Sequence, residues 1–353
     1  MRYKLLGNSG LRVSELCLGT MTFGEEGWGS SKEESGRVLQ AFAEAGGNFV
    51  DTADFYSGGK SERFLGELLG EDRDSFVVAT KYTLARHPQD PNATGNHRKN
   101  LVQALDASLK RLGTDYVDVL WVHQWDFFTP IEEVMRALDD QVRAGKVLYV
   151  GISDTPAWVV ARANTMAEAY GWTPFVATQA QYSLVERTVE RELVPMAQAL
   201  DLATTAWSPL GMGVLTGKYA ATTSPAEGRL ANSQRPNSLP ERNLEIARVV
   251  GEVAAELGAT PAQLALAWLM SRPGVVIPVV GARQESQLKE NLGAVDVKLN
   301  RDQLERLDQV SAIELGFPHD FLMAMRRTNY VLGSTLDRID NHRASRSGLP
   351  LNQ

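Results

Sequence analysis

The stretch Val117-Asp118-Val119-Leu120-Trp121-Val122-His123 decides the fold, because it is a short apolar run that ends in a polar residue. Residues 131–145 follow with apolar side chains at helical spacing and with acidic side chains on the opposite face. A second apolar run then occupies 147–152. This order predicts a strand, a helix and a second strand parallel to the first, with both strands buried on both faces.

The same strand–helix unit occurs eight times along the chain. The predicted strands lie near 15–19, 48–51, 76–81, 117–122, 147–152, 175–179, 203–207 and 275–280. The predicted helices lie near 33–46, 61–70, 98–112, 131–145, 156–170, 188–200, 241–257 and 284–292, with a further helix at 261–271. Eight units predict an α/β protein with a (β/α)8 TIM barrel. A doubly wound sheet is the alternative, although that fold does not need eight evenly spaced units.

Three segments exceed what a barrel of about 250 residues needs. Residues 2–14 are predicted to form an N-terminal hairpin that turns at Gly7-Asn8-Ser9-Gly10. Residues 210–240 form a long loop after strand seven, and a C-terminal extension with a helix at 301–311 follows residue 296. No linker divides the chain, so we expect one domain over 1–353, with the barrel at about 15–296 and the helix and tail at 297–353.

Composition excludes several classes of function. The 353 residues are 43% hydrophobic and 22% charged, as in globular proteins, and the net charge is -7. A negative charge argues against nucleic acid and against anionic lipid as partners. The chain shows neither a signal peptide nor an apolar stretch of about 20 residues, so we expect no membrane span and a cytoplasmic location. Its single cysteine, Cys17, lies in an apolar run and is expected to be buried, and no metal site is predicted.

Four polar side chains follow three successive predicted strands. Asp51 and Tyr56 belong to Asp51-Thr52-Ala53-Asp54-Phe55-Tyr56, Lys81 ends the next strand, and His123 ends the one after it. Each alone has an ordinary structural explanation, such as a helix cap or a solvated surface charge. Because the C-terminal strand ends of a barrel meet at one rim, we expect these four residues to form an active site.

The chemistry of this tetrad (Asp51, Tyr56, Lys81 and His123) is acid–base chemistry. A tyrosine normally titrates near pH 10, too high for proton transfer at neutrality. A lysine ammonium at about 4 Å favours the phenolate by about 4 kcal/mol, or about three pKa units, at an effective dielectric constant of 20. Asp51 is expected to keep Lys81 charged, and His123 to hold a substrate oxygen or relay a proton. The tetrad supplies no electrons, so the reaction is either proton transfer alone or requires a cofactor.

A nucleotide site is predicted after strand eight. The glycine fingerprint of a Rossmann domain and a P-loop are both absent from the sequence. However, Gly281-Ala282-Arg283 precedes a helix on which Gln287, Glu290 and Asn291 share one face. Loops after strands seven and eight often bind phosphate in such barrels, and arginine suits phosphate. A solvated helix surface is the alternative explanation for the polar face.

Together these motifs resemble the aldo-keto reductase superfamily over roughly residues 1–311. The matching segments are Gly7-Asn8-Ser9-Gly10-Leu11-Arg12-Val13-Ser14, Leu18-Gly19-Thr20-Met21-Thr22-Phe23-Gly24, Asp51 to Tyr56, Gly151-Ile152-Ser153, Gln179-Ala180-Gln181-Tyr182-Ser183, Trp207-Ser208-Pro209-Leu210 and Gly281 to Asn291. The resemblance is greatest to the bacterial long-loop branch and to the related potassium-channel β subunits.

The resemblance implies NADPH-dependent reduction of a small-molecule aldehyde or ketone, with Tyr56 as proton donor, Lys81 and Asp51 tuning it, and His123 orienting the carbonyl. NADH remains possible, because the preference rests mainly on Arg283. The implied cofactor-binding residues are Thr20, Met21, Asp51, Ser153, Gln179, Trp207, Ser208, Leu210, Gly213, Lys218, Arg229, Gly281, Arg283, Gln287, Glu290 and Asn291.

Aromatic residues near the rim are expected to form the substrate pocket. They are Phe23, Trp28, Phe55, Tyr82, Trp125 and Phe127, with Phe128 beside them. Core packing beneath the loops is the alternative. An apolar wall of this kind suits a medium-sized carbonyl compound.

Two other functions compete with carbonyl reduction. One is a nucleotide-binding regulatory or redox-sensing subunit with slow turnover, as in the channel β subunits. That branch tends to carry asparagine at the position of His123, so the histidine favours turnover. The other is a cofactor-free barrel in which Lys81 forms a Schiff base, which leaves residues 281–291 without a purpose. The substrate, the direction and the oligomeric state are left open.

Overall fold

The computed structural model describes residues 1–219, 240–327, 330–331 and 333–340. Its ten strands are β1 (Tyr3–Leu5), β2 (Arg12–Ser14), β3 (Cys17–Gly19), β4 (Phe49–Asp51), β5 (Val77–Tyr82), β6 (Val117–Val122), β7 (Val147–Ser153), β8 (Phe175–Gln181), β9 (Ala203–Trp207) and β10 (Val276–Val280). Strands β3 to β10 pair in parallel and close into a barrel in which β10 lies beside β3. The predicted (β/α)8 barrel and its N-terminal hairpin are confirmed.

Helices surround the barrel. They are α1 (Lys32–Glu44), α2 (Lys60–Leu69), α3 (Arg98–Leu112), α4 (Ile131–Arg143), α5 (Ala157–Tyr170), α6 (Leu193–Ala199), α7 (Glu241–Glu256), α8 (Pro261–Met270), α9 (Glu285–Leu292), α10 (Arg301–Val310) and α11 (His319–Arg327). The predicted helices agree with these bounds to within about two residues, with one exception. The C-terminal extension is present and contains α11 in addition to the expected helix.

The exception is residues 188–200, which were expected to form one helix. The chain instead forms a 3-10 turn at Thr188–Glu190 and then α6, with the non-helical Glu192 between them. Arg187 explains the break, because its guanidinium donates to the Glu190 carboxylate and also to the Ser311 hydroxyl beyond α10. The turn is therefore held against the C-terminal part of the chain instead of continuing as a helix.

The N-terminal hairpin of β1 and β2 packs against the N-terminal ends of the barrel strands. Leu6 and Val13 are fully buried in one cluster with residues of the barrel interior. Gly7 makes this approach possible, because it has a φ of 56° and a Cβ there would lie 2.1 Å from the carbonyl oxygen of Val176. The hairpin leaves the opposite rim, where the strands end, available for a functional site.

The barrel interior is filled with side chains. Trp121 is fully buried inside it, and a Cβ on Gly151 would lie 2.4 Å from its indole ring. A second apolar layer lies between the strands and helices α1 to α5, and a third packs α7, α8 and α10. Packing at this density holds the strand ends rigidly. No helix among the described residues is long and apolar enough to cross a membrane.

Candidate active site

Three strand ends bring the tetrad together. Asp51 is the last residue of β4, Lys81 is the next-to-last residue of β5, and His123 directly follows β6. Tyr56 lies in the loop after β4, where it begins a 3-10 turn. Ser57, Gly58 and Gly59 follow with φ values of 51°, 61° and 84°, which reverse the chain immediately into α2. The left-handed turn returns the tyrosine to the rim beside Lys81.

Lys81 is the centre of the tetrad. Its ammonium pairs with the Asp51 carboxylate and donates to the backbone oxygen of Thr52 at 2.8 Å and to the Tyr56 hydroxyl at 3.1 Å. These three contacts use all three of its N–H donors. Gln179 donates to the second carboxylate oxygen of Asp51 at 3.2 Å, so both oxygens of that carboxylate are bound. Each polar group of the pair is thus satisfied, as burial requires.

The charges in the tetrad follow from its burial. Burial acts to lower the pKa of Lys81, but the Asp51 carboxylate and Tyr56 more than offset this effect, so its pKa is raised above the ordinary value. Burial lowers the pKa of His123 well below its ordinary value, and the Lys81 charge lowers it further. At neutral pH the lysine is therefore charged and the histidine neutral.

His123 faces the tyrosine. Its ring contacts the Tyr56 ring edge to face, with 5.9 Å between the centroids. Its backbone N–H donates to the Tyr82 carbonyl oxygen at 2.9 Å, which anchors it to the end of β5. The buried Nδ1 atom has no hydrogen-bond partner. A neutral imidazole beside a phenol and an ammonium is suited to hold a carbonyl oxygen.

Three members of the tetrad, Asp51, Tyr56 and His123, line a cavity of about 910 Å³, and Lys81 is buried behind Asp51 and Tyr56. Most of the expected cofactor residues line it, namely Met21, Asp51, Ser153, Gln179, Trp207, Ser208, Leu210, Gly213, Lys218, Gly281, Arg283, Gln287, Glu290 and Asn291. Thr20 does not line it, since it is fully buried with its hydroxyl bound to Ser61 and to the backbone oxygen of Asp51. Arg229, and most of the long loop, lie outside the described residues.

The half of the cavity formed by the loops after β9 and β10 has features that fit a dinucleotide. It holds two cations, Lys218 and Arg283. Gly213 has a φ of 94°, and a Cβ there would come within 2.7 Å of the Lys218 ammonium, so the glycine leaves room for that side chain. At the start of α9, the side-chain oxygen of Gln287 accepts a hydrogen bond from the backbone N–H of Arg283. The carboxylate of Glu34, in α1, accepts a hydrogen bond from the backbone N–H of Glu285.

The expected aromatic wall is only partly present. Trp28 and Phe55 line the cavity. Phe23 and Tyr82 do not, because both are buried in the packing layer outside the strands, where the Tyr82 hydroxyl donates to the Asn96 carbonyl oxygen at 3.1 Å. Their proposed place in the pocket wall is therefore corrected to core packing.

The loop after β6 turns its aromatic residues elsewhere. Trp125 and Phe127 line a separate cavity of about 360 Å³ between this loop and α5, together with Phe128. Asp126 holds the loop in this conformation, because its carboxylate accepts hydrogen bonds from the backbone N–H groups of Phe128, Thr129 and Asn96. The two aromatics are thus displaced from the predicted pocket.

Several cavity-lining residues were not among the predicted site residues. They are Thr22, Glu25, Ser57, Leu84, Gln124, Asp154, Met212 and Thr216. Asp154 has a clear local role, since its carboxylate accepts from the Trp207 indole N–H at 3.0 Å. Its position directly after β7 was the available signal, whereas Glu25 and Leu84 lie in loops that have no periodicity.

Comparison with known proteins agrees with this geometry. The sequence pattern that defines the aldo/keto reductase family matches residues 15–312. The chain belongs to the aldo/keto reductase family. It is 38% identical over 338 residues to a norsolorinic acid reductase of Aspergillus flavus, covering 92% of this chain and 85% of the relative. It is 36% identical over 340 residues to an aryl-alcohol dehydrogenase [NADP(+)] of Phanerodontia chrysosporium, covering 90% of this chain and 87% of the relative.

Membership of the aldo/keto reductase family makes the protein an oxidoreductase enzyme that acts on carbonyl compounds, and enzymes of this family use nicotinamide cofactors. A further relative, an aryl-alcohol dehydrogenase of Pestalotiopsis microspora, is 39% identical over 332 residues, covering 91% of this chain and 85% of the relative. The relatives named here are fungal enzymes, and the bacterial branch stays a prediction. The catalytic and binding roles of the individual residues likewise stay predictions.

Proposed function

We propose that this aldo/keto reductase reversibly reduces an aromatic aldehyde or ketone to the alcohol with NADPH. The observation that carries the proposal is the contact between the Lys81 ammonium and the Tyr56 hydroxyl at 3.1 Å, on the wall of a large cavity with cations in its other half. The names of the two aryl-alcohol dehydrogenases support an aromatic substrate, and one of these names includes NADP. Trp28 and Phe55 on the cavity wall support it as well.

Tyr56 donates its proton to the carbonyl oxygen as negative charge develops there. The Lys81 ammonium stabilises the resulting phenolate, and the Asp51 carboxylate keeps the buried lysine charged. Neutral His123 directs an N–H toward the same oxygen and so fixes the carbonyl. In the reverse direction, the Tyr56 phenolate takes the proton from the alcohol.

The cofactor, when bound, supplies the hydride that goes to the carbonyl carbon. Ser153, the last residue of β7, and Gln179, within β8, would hold its carboxamide, and Trp207 would lie beside its ring. Lys218 and Arg283 supply positive charge for its phosphates. With the protonated Tyr56 near the nicotinamide end, one cavity provides both halves of the reaction.

Replacing Tyr56 by phenylalanine tests the mechanism. We expect NADPH consumption with substituted benzaldehydes to fall about 10²- to 10⁴-fold, because general acid catalysis contributes about that much. NADPH binding, followed by quenching of tryptophan fluorescence, should be kept because the phenol acts on the substrate oxygen. Turnover close to that of the wild type would refute the assignment of Tyr56.

The cofactor preference is tested by Arg283→Ala. We expect Arg283→Ala to bind NADPH more weakly than the wild type does and to show a smaller loss of affinity for NADH. The reason is that the arginine binds the 2′-phosphate of the adenosine, which NADPH has and NADH lacks. Lys289→Ala is the matched control, since Lys289 is a cation on α9 that pairs with Glu285 and does not line the cavity. Equal losses for both cofactors would remove the phosphate role of Arg283.

A further inference from the structure

The ionised side chains of the large cavity are unevenly distributed. Of the described lining residues, only Lys218 and Arg283 are basic, and both belong to the half that fits the cofactor. Four lining residues are acidic: Glu25, Asp51, Asp154 and Glu290. The Asp51 charge is balanced by Lys81. The half around Tyr56 therefore carries the negative charge of Glu25.

Glu25 is held close to the catalytic tyrosine. Its carboxylate accepts a hydrogen bond at 3.0 Å from the Ser57 hydroxyl, and Ser57 directly follows Tyr56. The left-handed conformation of Ser57, with a φ of 51°, belongs to the same turn that places the tyrosine. Glu25 thus lies next to the substrate end of the cavity as part of the turn that forms it, together with Trp28 and Phe55.

No cation in the part of the chain that the structure describes forms a salt bridge with Glu25. Lys60, at the start of α2, pairs with the adjacent Glu26. His123 is neutral near pH 7, because burial and the Lys81 charge lower its pKa well below the ordinary value. The side chains that share the substrate half with Glu25 include the uncharged Trp28, Phe55 and Leu84. Among the described residues that line this half, no arginine or lysine is present to pair with an entering anion.

We propose that Glu25 is a specificity-determining residue that excludes carboxylate-bearing carbonyl compounds and restricts the enzyme to uncharged aromatic ones. This inference rests on the proposed carbonyl reduction and names its substrate class. Glu25 repels a substrate carboxylate, while its own carboxylate can accept a hydrogen bond from a phenolic or alcoholic hydroxyl of a neutral substrate. The apolar walls bind the aromatic ring.

The test compares two aldehydes of similar shape, 4-carboxybenzaldehyde and 4-nitrobenzaldehyde. For each protein, kcat/KM for the nitro compound is divided by kcat/KM for the carboxylate at 0.15 M salt. The two aldehydes differ in intrinsic reactivity, but this difference is the same for every variant and cancels when the ratios are compared. We expect the ratio to fall about tenfold in Glu25→Gln, since one charge at close range in a partly screened cavity has about that effect.

Glu26→Gln is the matched control. It removes the same charge one position away, from an exposed side chain that pairs with Lys60 and does not line the cavity. We expect its ratio to stay within about twofold of the wild type, because exposed charges are screened. An unchanged ratio in Glu25→Gln, or an equal fall in both variants, would overturn the proposal.

Ligand binding separates this inference from the proposed function. Benzoate and benzamide are matched in shape, and their binding is followed by tryptophan fluorescence without turnover. We expect Glu25→Gln to tighten benzoate about tenfold relative to benzamide, and Glu26→Gln to leave this ratio within about twofold of the wild type. If no aldehyde is reduced but this shift occurs, the proposed reaction is wrong and the selectivity of Glu25 stands. If aldehydes are reduced but no shift occurs, only the inference about Glu25 fails.

Discussion

Replacing Lys81 by methionine is expected to lower the free energy of unfolding by about 3–5 kcal/mol, because removing one partner leaves a buried charge uncompensated. The side chains of Lys81 and Asp51 are 0% and 3% exposed, so water does not replace the lost partner. Asp51→Asn is expected to lower the free energy of unfolding by a similar amount, because it leaves the buried Lys81 ammonium without its carboxylate partner. Its amide oxygen still accepts the hydrogen bond from Gln179.

The double variant Asp51→Asn/Lys81→Met separates this pairing from loss of packing. With both charges removed, the double variant should lose much less free energy of unfolding than the two single variants lose in sum. We expect a coupling free energy of about 3 kcal/mol. Urea unfolding, followed by both circular dichroism and tryptophan fluorescence, measures all four proteins. The exposed pair Lys32–Glu67, whose side chains are 43% and 55% exposed, provides a control cycle with an expected coupling below about 1 kcal/mol. Additive effects at Asp51 and Lys81 would refute the electrostatic account.

Two further predictions concern the stability of the fold. Burial and the nearby Glu62 carboxylate raise the pKa of Asp54 to about 7, against the opposing charges of Arg86, Arg111 and Lys81. The folded state therefore binds a proton that the unfolded state has lost above about pH 4, so this group makes stability fall as pH rises from about 4 to about 7. Asp54→Asn should exceed the wild type in free energy of unfolding by on the order of 2 kcal/mol at pH 8 and lose this advantage near pH 4; a gap that does not change with pH would contradict the assignment. Gly7→Ala should destabilise by about 2–4 kcal/mol because its Cβ would meet the backbone, whereas Gly10→Ala, with no atom within 4 Å of its Cβ, should stay near the wild type in thermal unfolding. Similar melting temperatures for the two alanine variants would refute the steric argument.

The architecture was predictable because it rests on local periodicity. The helix expected over 98–112 is present with those bounds, and the strand expected over 117–122 likewise. The tetrad was predictable for a related reason: parallel strands of a closed barrel end at a common rim, so residues at those ends must be neighbours.

Side-chain direction in the rim loops was not predictable in the same way. Phe23 and Tyr82 belong to segments that end at the rim, yet both turn away from the cavity into the core. Phe127 and Trp125 are drawn aside by the hydrogen bonds of Asp126. Loops have no repeating pattern to show which side chains face inward, and their direction depends on hydrogen bonds formed after folding.

By itself, then, the sequence determined the order of strands and helices and the identity of the residues at each strand end, because both depend on spacing within short segments. The tertiary structure alone decided the contact of Lys81 with Tyr56, the burial of Asp54 and the position of Glu25 beside the left-handed turn that follows Tyr56. These contacts join residues 25 or more positions apart. Their distances and their electrostatic effects arise only when the barrel closes and excludes water.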